Sequence, residues 1–436
     1  MIQILIFFII SVYVFYKATG KFYEIYQNIN LGKPQPTGGS SSERLRNMVL
    51  FALGQKKMFS RPVSGIFHLF IYVAFLFTQL ELIEILLDGL FGKHRMFASF
   101  LGGFYTFLIN FIELISVLAF VATFVFLFRR NIIKVLRFRK PELIGWPSLD
   151  ANLILFGEIL LITGIFTMNS TDQLLQQINP SHYPRTGTLF LSGILSENVF
   201  QAQSEGLLVI LERAGWWLHL LVIYGFILYL PYSKHLHIFL AFPNSYFSNL
   251  ESRGKISNIP VIENEARGML GLKQNDQIEA SESFGAKDIF DLDRRTLLAS
   301  YSCTECGRCT SVCPANITGK KLSPRKIVMD IRDRLEEVGR NIKLNKMEKA
   351  TSYDDGKSLF DYISKEEIYA CTTCNACVEA CPILINPMDP ILQLRRYDIL
   401  MNSGGPSDWL PMFNSLENNQ SVWQLPESRD AWTTKA

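Results

Sequence analysis

Two stretches, CTECGRCTSVCPA at 303–315 and CTTCNACVEACPI at 371–383, decide how the second half of this chain folds. Both read C-x2-C-x2-C-x3-C-P, and together they hold all eight cysteines of the 436 residues. Three thiolates at that spacing on a turning loop wrap one corner of a cubane. Backbone amides between them stabilise its negative charge, and the fourth cysteine reaches the other cluster of a pair. One [4Fe-4S] cluster is therefore expected on Cys303, Cys306, Cys309 and Cys381, and a second on Cys371, Cys374, Cys377 and Cys313. The proline after each motif turns the chain away. Zinc and disulfides are the alternatives. Zinc sites usually show two separated cysteine pairs, and disulfides do not suit a cytoplasmic domain. With every cysteine used as a ligand, none is left for nucleophilic or thiol–disulfide chemistry.

Outside these motifs the composition splits in two. The first 240 residues carry long apolar runs and no cysteine, while the rest is polar. A net charge of only +3 excludes a nucleic-acid binder by charge. Five apolar segments, near 2–16, 65–91, 104–128, 151–168 and 207–232, are read as membrane spans, for which roughly 20 residues are needed; the first and fourth are short. No basic region precedes the first and no cleavage site follows it, so it is read as a retained helix. Stretch 17–61 has eight basic residues against Glu24 and Glu43, and 129–150 has six against Glu142 and Asp150. Stretch 169–206 has only Arg185. By the positive-inside rule the N-terminus lies outside and everything after 232 is cytoplasmic. The expected architecture is mostly α. A five-helix transmembrane bundle (1–250) is followed by a linker (251–285) and a helical two-[4Fe-4S] ferredoxin-like cytoplasmic domain (286–436).

Within the polar half, SPRKIVMDIRDRLEEVGRN predicts an amphipathic helix. Ser323 caps it, Pro324 opens it, Gly339 ends it, and Ile327, Ile331 and Leu335 form its buried face. Phe290, Leu292, Leu297 and Leu298 have helical spacing ahead of the first cysteine. The tail after about 400 reads as loop-rich, and no strand pattern stands out.

The histidines give a second cofactor. His219 and His237 bracket the last apolar run, and a continuous helix would put them about 27 Å apart on one side. His68, just inside the second span, is level with His237. Two neutral imidazoles from different helices at one depth can ligate a b-type heme, and intramembrane histidines favour function. His94 and His182 lie outside and are expected to bind nothing, and His235 is read as a surface neighbour of His237.

The pattern H-x11-P-[FY]-S-[KR]-x2-H, from His219 through PYSKHLH to His237, resembles the last heme helix of the respiratory nitrate reductase gamma subunit. That resemblance implies four heme-binding histidines, two in the second span and two in the fifth. His68 matches the first and would pair with His237. The next falls ten residues later, where Thr78 stands, so His219 lacks its partner; it binds a second heme through another ligand or lines a quinone pocket. The cysteine repeats, DIFDL at 288–292 and NPMDPILQLRR at 386–396 resemble the iron–sulfur part of heterodisulfide reductase D-type and glycolate or glycerol-3-phosphate dehydrogenase C-type proteins. The two halves together are similar to bacterial membrane-bound proteins that pass electrons from electron-transfer flavoprotein to menaquinone. Those proteins continue into CCG modules, which are absent here, so a separate CCG-type subunit is an expected partner.

Glu113 and Glu158, deep in predicted spans, are candidates for a proton path to the quinone, with helix–helix hydrogen bonding as the rival. Glu81 and Glu84 either join them or face lipid head groups. The expected function is electron transfer from a cytoplasmic donor through two clusters and heme b to menaquinone. The alternatives are quinol-driven reduction of a cytoplasmic disulfide-type partner and a non-catalytic anchor for a dehydrogenase complex. No glycine-rich dinucleotide loop or flavin site is visible.

Overall fold

The computed structural model describes residues 2–35, 38–275, 283–346, 353–422 and 430–433. These are mostly helical, and among them the one strand-like pairing is a single bridge between Lys33 and Asp293. Among the described residues, five helices are long and apolar enough to cross a membrane: α1 (Ile2–Ile29), α2 (Pro62–Phe91), α3 (Gly103–Asn131), α4 (Trp146–Ile178) and α5 (Glu205–Tyr229). Their outward faces expose Leu5, Phe8, Phe107, Phe156 and Ile210, side chains as apolar as the lipid tails they would meet.

The first and fourth spans are not short. α4 has 33 residues. Its hydropathy fades after Met168, yet Asn169, Ser170, Thr171, Asp172, Gln173 and Gln176 are all buried. Asn169 meets Glu113 of α3, Asp172 meets His94 and Arg95, and Gln173 and Gln176 bond residues 186–189, so this end of the helix faces protein instead of lipid. α1 runs on to Ile29, and its far end docks on the polar half: Asn28 donates to the Tyr301 hydroxyl at 2.9 Å.

α4 and α5 pack backbone to backbone. A Cβ on Gly215 would lie 2.7 Å from Gly164 O and 2.7 Å from Met168 N, and one on Gly164 would lie 3.1 Å from His219 N. Only glycine allows this approach, and it seats His219 against α4.

His219 and His237 do not share one helix. Pro231 cannot supply an amide to the ladder, and the chain leaves α5 through two 3-10 turns separated by extended Ser233. A new helix, α6 (His237–Tyr246), then heads into the polar half. Asp150 takes up the donors at the break. It accepts from Tyr229 Oη (2.5 Å), Ser233 Oγ (2.6 Å) and Lys234 N (3.1 Å).

The polar half is built on α7 (Arg294–Ser302), α8 (Pro324–Leu344) and α9 (Met388–Asn402). Ser323 caps α8 by accepting from Lys326 N, and Ile327, Ile331 and Leu335 are buried. Gly339 does not end α8. It lies where α1 crosses, and a Cβ there would run into the Asn28 amide. The short helical turn at Ile289–Asp291 stops before α7 begins, so the apolar spacing at 290–298 spans two elements. One core gathers Leu297, Ile327, Ile331, Leu335, Leu359, Ile368 and Leu394 with Ile25 of α1 and Leu236 of the break. That core draws on residues from both sides of position 250. Stretch 251–285 carries an exposed helix, Pro260–Met269; its residues 276–282 lie outside the described residues. The tail holds a helix, Trp409–Asn419, with Trp409 on Tyr369, while 423–429 and 434–436 lie outside the described residues.

Candidate functional site

The two cysteine loops repeat at the level of the backbone. Glu305 and Gly307 in the first, and Thr373 and Asn375 in the second, have positive φ at equivalent positions. This curls each loop so that an amide turns inward. Glu305 N donates to Cys303 Sγ and Thr373 N to Cys371 Sγ, both at 3.4 Å. Gly307 has a second reason to be glycine, since a Cβ would meet the Arg325 guanidinium.

Cys303, Cys306 and Cys309 of the first motif line one cavity together with Cys381 of the second. Cys371 and Cys377 of the second motif each lie within electrostatic reach of both Cys374 and Cys313, the last cysteine of the first motif. The crossed pairing expected from spacing therefore has its residues together. Burial pushes the Cys303 and Cys377 thiols up to about 12 and Cys381 up to about 11. Such thiols ionise at neutral pH only when a metal displaces their protons, so the donor chemistry fits a resident metal group. Among the described residues, no three such side chains converge to hold a single metal ion; a cubane's ligands stand around it, not at one point.

The first loop is pressed onto the membrane half. Arg308 donates to Lys57 O (2.9 Å), Met58 O (3.2 Å) and Ser60 Oγ (3.3 Å), in the loop that leads into α2 and His68. Arg325, wholly buried, donates to Arg137 O at 2.9 Å and pairs with Glu142 at 2.7 Å. Glu305 pairs with Lys234 at 2.5 Å in the α5–α6 break. The second loop leaves Cys374 exposed.

Three histidines share one arrangement. Nδ1 of His68 is 3.1 Å from Gln55 Oε1, that of His219 is 3.0 Å from Leu161 O, and that of His237 is 2.9 Å from Lys234 O. Each acceptor is a carbonyl oxygen, so each ring carries its proton on Nδ1 and leaves the Nε2 lone pair free. Metal-binding histidines are oriented this way. Burial lowers His237 below its ordinary range, which keeps the ring neutral as a ligand must be. His68 and His237 both lie within electrostatic reach of His235, and the His235 and His237 rings are 6.0 Å apart. His235 is not a surface residue: its Nδ1 is buried without a hydrogen-bond partner. Thr78 turns back on its own helix, donating to Ala74 O at 2.9 Å.

The acids separate. Glu113 accepts from Asn169 Nδ2 (3.2 Å), Ser192 N (3.1 Å) and Ser192 Oγ, a tie between helices. Glu158 makes no hydrogen bond or ion pair among the described residues, and Asn169 lies about 16 Å farther along α4. Glu81 and Glu84 do not face head groups; they are 3% and 2% exposed. Glu84 accepts from Phe97 N at 2.8 Å and Tyr105 Oη at 2.7 Å. His94, expected to be idle, sits 2.8 Å from the buried Asp172 carboxylate. A cavity of about 430 Å³ opens beside it, at the end of the bundle away from the cysteines, lined by Gln3, Lys93, His94, His182, Arg213 and Trp216 among others.

Sequence reading missed Glu305, Lys234, Asp150, Arg308 and Gln55. Lys234 lay inside the quoted PYSKHLH and Glu305 inside the first motif, but neither has a periodic or spacing signal.

Residues 302–385 match the family model of the 4Fe-4S dicluster domain, so the polar half is an iron–sulfur domain carried on an apolar helical bundle. The chain is 30% identical to the probable iron-sulfur-binding oxidoreductase FadF of Bacillus subtilis (strain 168), over 99% of its own length and 61% of that protein's. It is 26% identical to the EtfAB:quinone oxidoreductase of Syntrophomonas wolfei subsp. wolfei, over 88% of this chain and 52% of that one. A probable membrane-anchored ferredoxin of Chromohalobacter salexigens is 30% identical over 34% of this chain and 23% of its own. The chain thus spans between half and two thirds of the first two relatives. No solved structure matches it.

Proposed function

We propose that this chain is an oxidoreductase subunit that passes electrons from a cytoplasmic donor, an electron-transfer flavoprotein or a CCG-type iron–sulfur partner, through two [4Fe-4S] clusters and a heme b to menaquinone in a bacterial cytoplasmic membrane. When bound, these groups supply one-electron redox chemistry, and the chain supplies ligands and spacing. Cys303, Cys306, Cys309 and Cys381 hold the cluster nearer the membrane half. Cys371, Cys374, Cys377 and Cys313 hold the other, with Cys374 toward the donor. His68 and His237 hold the heme, each oriented through Nδ1. His219, one turn from Trp216 of the 430 Å³ cavity, belongs to the quinone side. Of the two acids expected to move protons, Glu158 has a carboxylate with no other partner among the described residues, whereas Glu113 is already bound by Ser192 and Asn169.

The observation that carries this reading is the cavity of four cysteines from both repeats, whose loop is ion-paired to the segment bearing His237. The similarity to an EtfAB:quinone oxidoreductase over most of this chain supports the choice of donor and acceptor. A His237→Ala protein, purified from membranes, is expected to lose its b-type absorbance and to keep reducible iron–sulfur signals in electron paramagnetic resonance. An unchanged heme spectrum would remove His237 as a ligand, and a parent protein without porphyrin would remove the heme.

A further inference from the structure

The first cysteine loop and the α5–α6 break meet at one buried ion pair. Glu305 is 5% exposed. Its amide donates to Cys303 Sγ at 3.4 Å, and its carboxylate binds Lys234 Nζ at 2.5 Å and Arg332 at 3.0 Å. The Lys234 side chain is only 11% exposed, and its Nζ also donates to Pro147 O at 2.6 Å. The lysine's own backbone is committed at both ends. Its N–H donates to Asp150 at 3.1 Å, and its carbonyl accepts from His237 Nδ1 at 2.9 Å. A cysteine of one centre and a histidine of the other are thus joined through a single pair of side chains. On the other side of the loop, the hydrogen bonds of Arg308 end on residues 57–60, and its charge lies within electrostatic reach of His68 without a bonded path to that ring.

We infer that the Glu305–Lys234 ion pair is a positioning contact that couples the cluster on Cys303 to the imidazole of His237. The inference rests on the reading of His237 as a heme ligand. Ionic hydrogen bonds in a low-dielectric interior are strong and directional. Lys234 thus holds the cysteine loop with its side chain and the His237 ring with its carbonyl, so the ion pair fixes the loop against the residue that orients His237. A negative charge added at the cluster acts on Glu305, then on Lys234, then on the basicity of His237. Coupling of this kind is reciprocal in equilibrium terms. Neither residue is a ligand, and no bond is made or broken.

The test is a double-mutant cycle in the full-length protein in detergent, with the heme midpoint potential read optically and the cluster potential read by electron paramagnetic resonance. Glu305→Gln, a change in the cysteine loop, is expected to shift the heme's one-electron equilibrium about tenfold, which is 59 mV. In a Lys234→Met background the same change is expected to move the heme no further. Glu305→Asp keeps the charge but withdraws it from the lysine, and is expected to shift the heme as Glu305→Gln does. A heme that stays in place in Glu305→Asp, or a Glu305→Gln shift of equal size with and without Lys234, would overturn the contact in favour of a long-range field. If Lys234→Met does not assemble, Glu305→Asp decides alone. Absence of a b-type spectrum in the parent protein would overturn the functional reading and this inference together. An unmoved heme in the variants overturns the inference alone.

Discussion

Arg334 shows what a single side chain does for the iron–sulfur domain. Its guanidinium is almost wholly buried and binds Asp288 at 2.6 Å and Asp355 at 2.7 Å. Asp288 also caps the turn of the DIFDL segment, accepting from Ile289 N at 2.8 Å. Residues that carried a family resemblance here turn out to fix the chain beside α8. Hydrogen bonds from Arg334 hold the Asp355 carboxyl well below the usual carboxylate range. A carboxylate depressed in the folded state adds stability above its ordinary value, about 3.9, and that stability is lost as pH falls through the lower folded value. Asp355→Asn is therefore expected to cost about 1 kcal/mol at pH 7, with the difference from the parent in thermal unfolding shrinking below about pH 4. A difference that stays constant with pH would mean that Asp355 acts through shape and not charge. The cysteines were legible in the sequence because their spacing is their chemistry. Asp288 and Asp355 lie 46 and 21 residues from Arg334, and no local pattern links residues so far apart.

Among the elements, the α4–α5 pair governs where His219 sits. Gly215 and Gly164 let the two backbones touch, and the His219 Nδ1 proton then reaches Leu161 O. Gly215→Ala would place a methyl group 2.7 Å from Gly164 O and 2.7 Å from Met168 N. Both are backbone atoms that cannot turn aside, so the helices must part. The expected cost is about 1–3 kcal/mol, read as a lower thermal midpoint of the membrane half. His219 should also become more accessible to a histidine-modifying reagent, while the iron–sulfur signals persist. Unchanged modification of His219 would show that α5 yields elsewhere. Hydropathy located all five long helices, but it misjudged two features for one reason. It scores residues singly, and polar residues that satisfy one another inside a bundle look like the end of a span. The tail of α4, from Asn169 to Gln176, was hidden in this way. The break before His237 was hidden too, because Asp150, which absorbs the donors freed around Pro231, comes from another helix.

For the whole molecule, composition divides the chain into an apolar half and an iron–sulfur half, and packing joins the two. Ile25 of α1 and Leu236 of the break are buried in the same core as Leu297 and Leu335. Glu24 pairs with Lys343, and Asn28 bonds Tyr301. The loop before α2 grips the first cysteine loop through Arg308. The proposed electron transfer between fixed centres would need fixed spacing, and these contacts supply it from two sides. At Gly339 α8 lies directly against α1, since a Cβ there would meet the Asn28 amide. Alanine could be absorbed by rotation of the flexible Asn28 side chain, but leucine could not. Gly339→Leu is expected to wedge α8 from α1 and to break the Asn28–Tyr301 bond, at a cost of about 1–3 kcal/mol. Both proposed cofactor sets should survive, because none of the proposed cysteine or histidine ligands lies on either helix face at that crossing. What should fall, by tenfold or more, is the rate at which dithionite-reduced clusters pass electrons to the heme in a stopped-flow trace. Were that rate unchanged while the domain was measurably destabilised, the grip of Arg308 on residues 57–60 would be holding the spacing by itself, and α1 would serve only as a membrane tether.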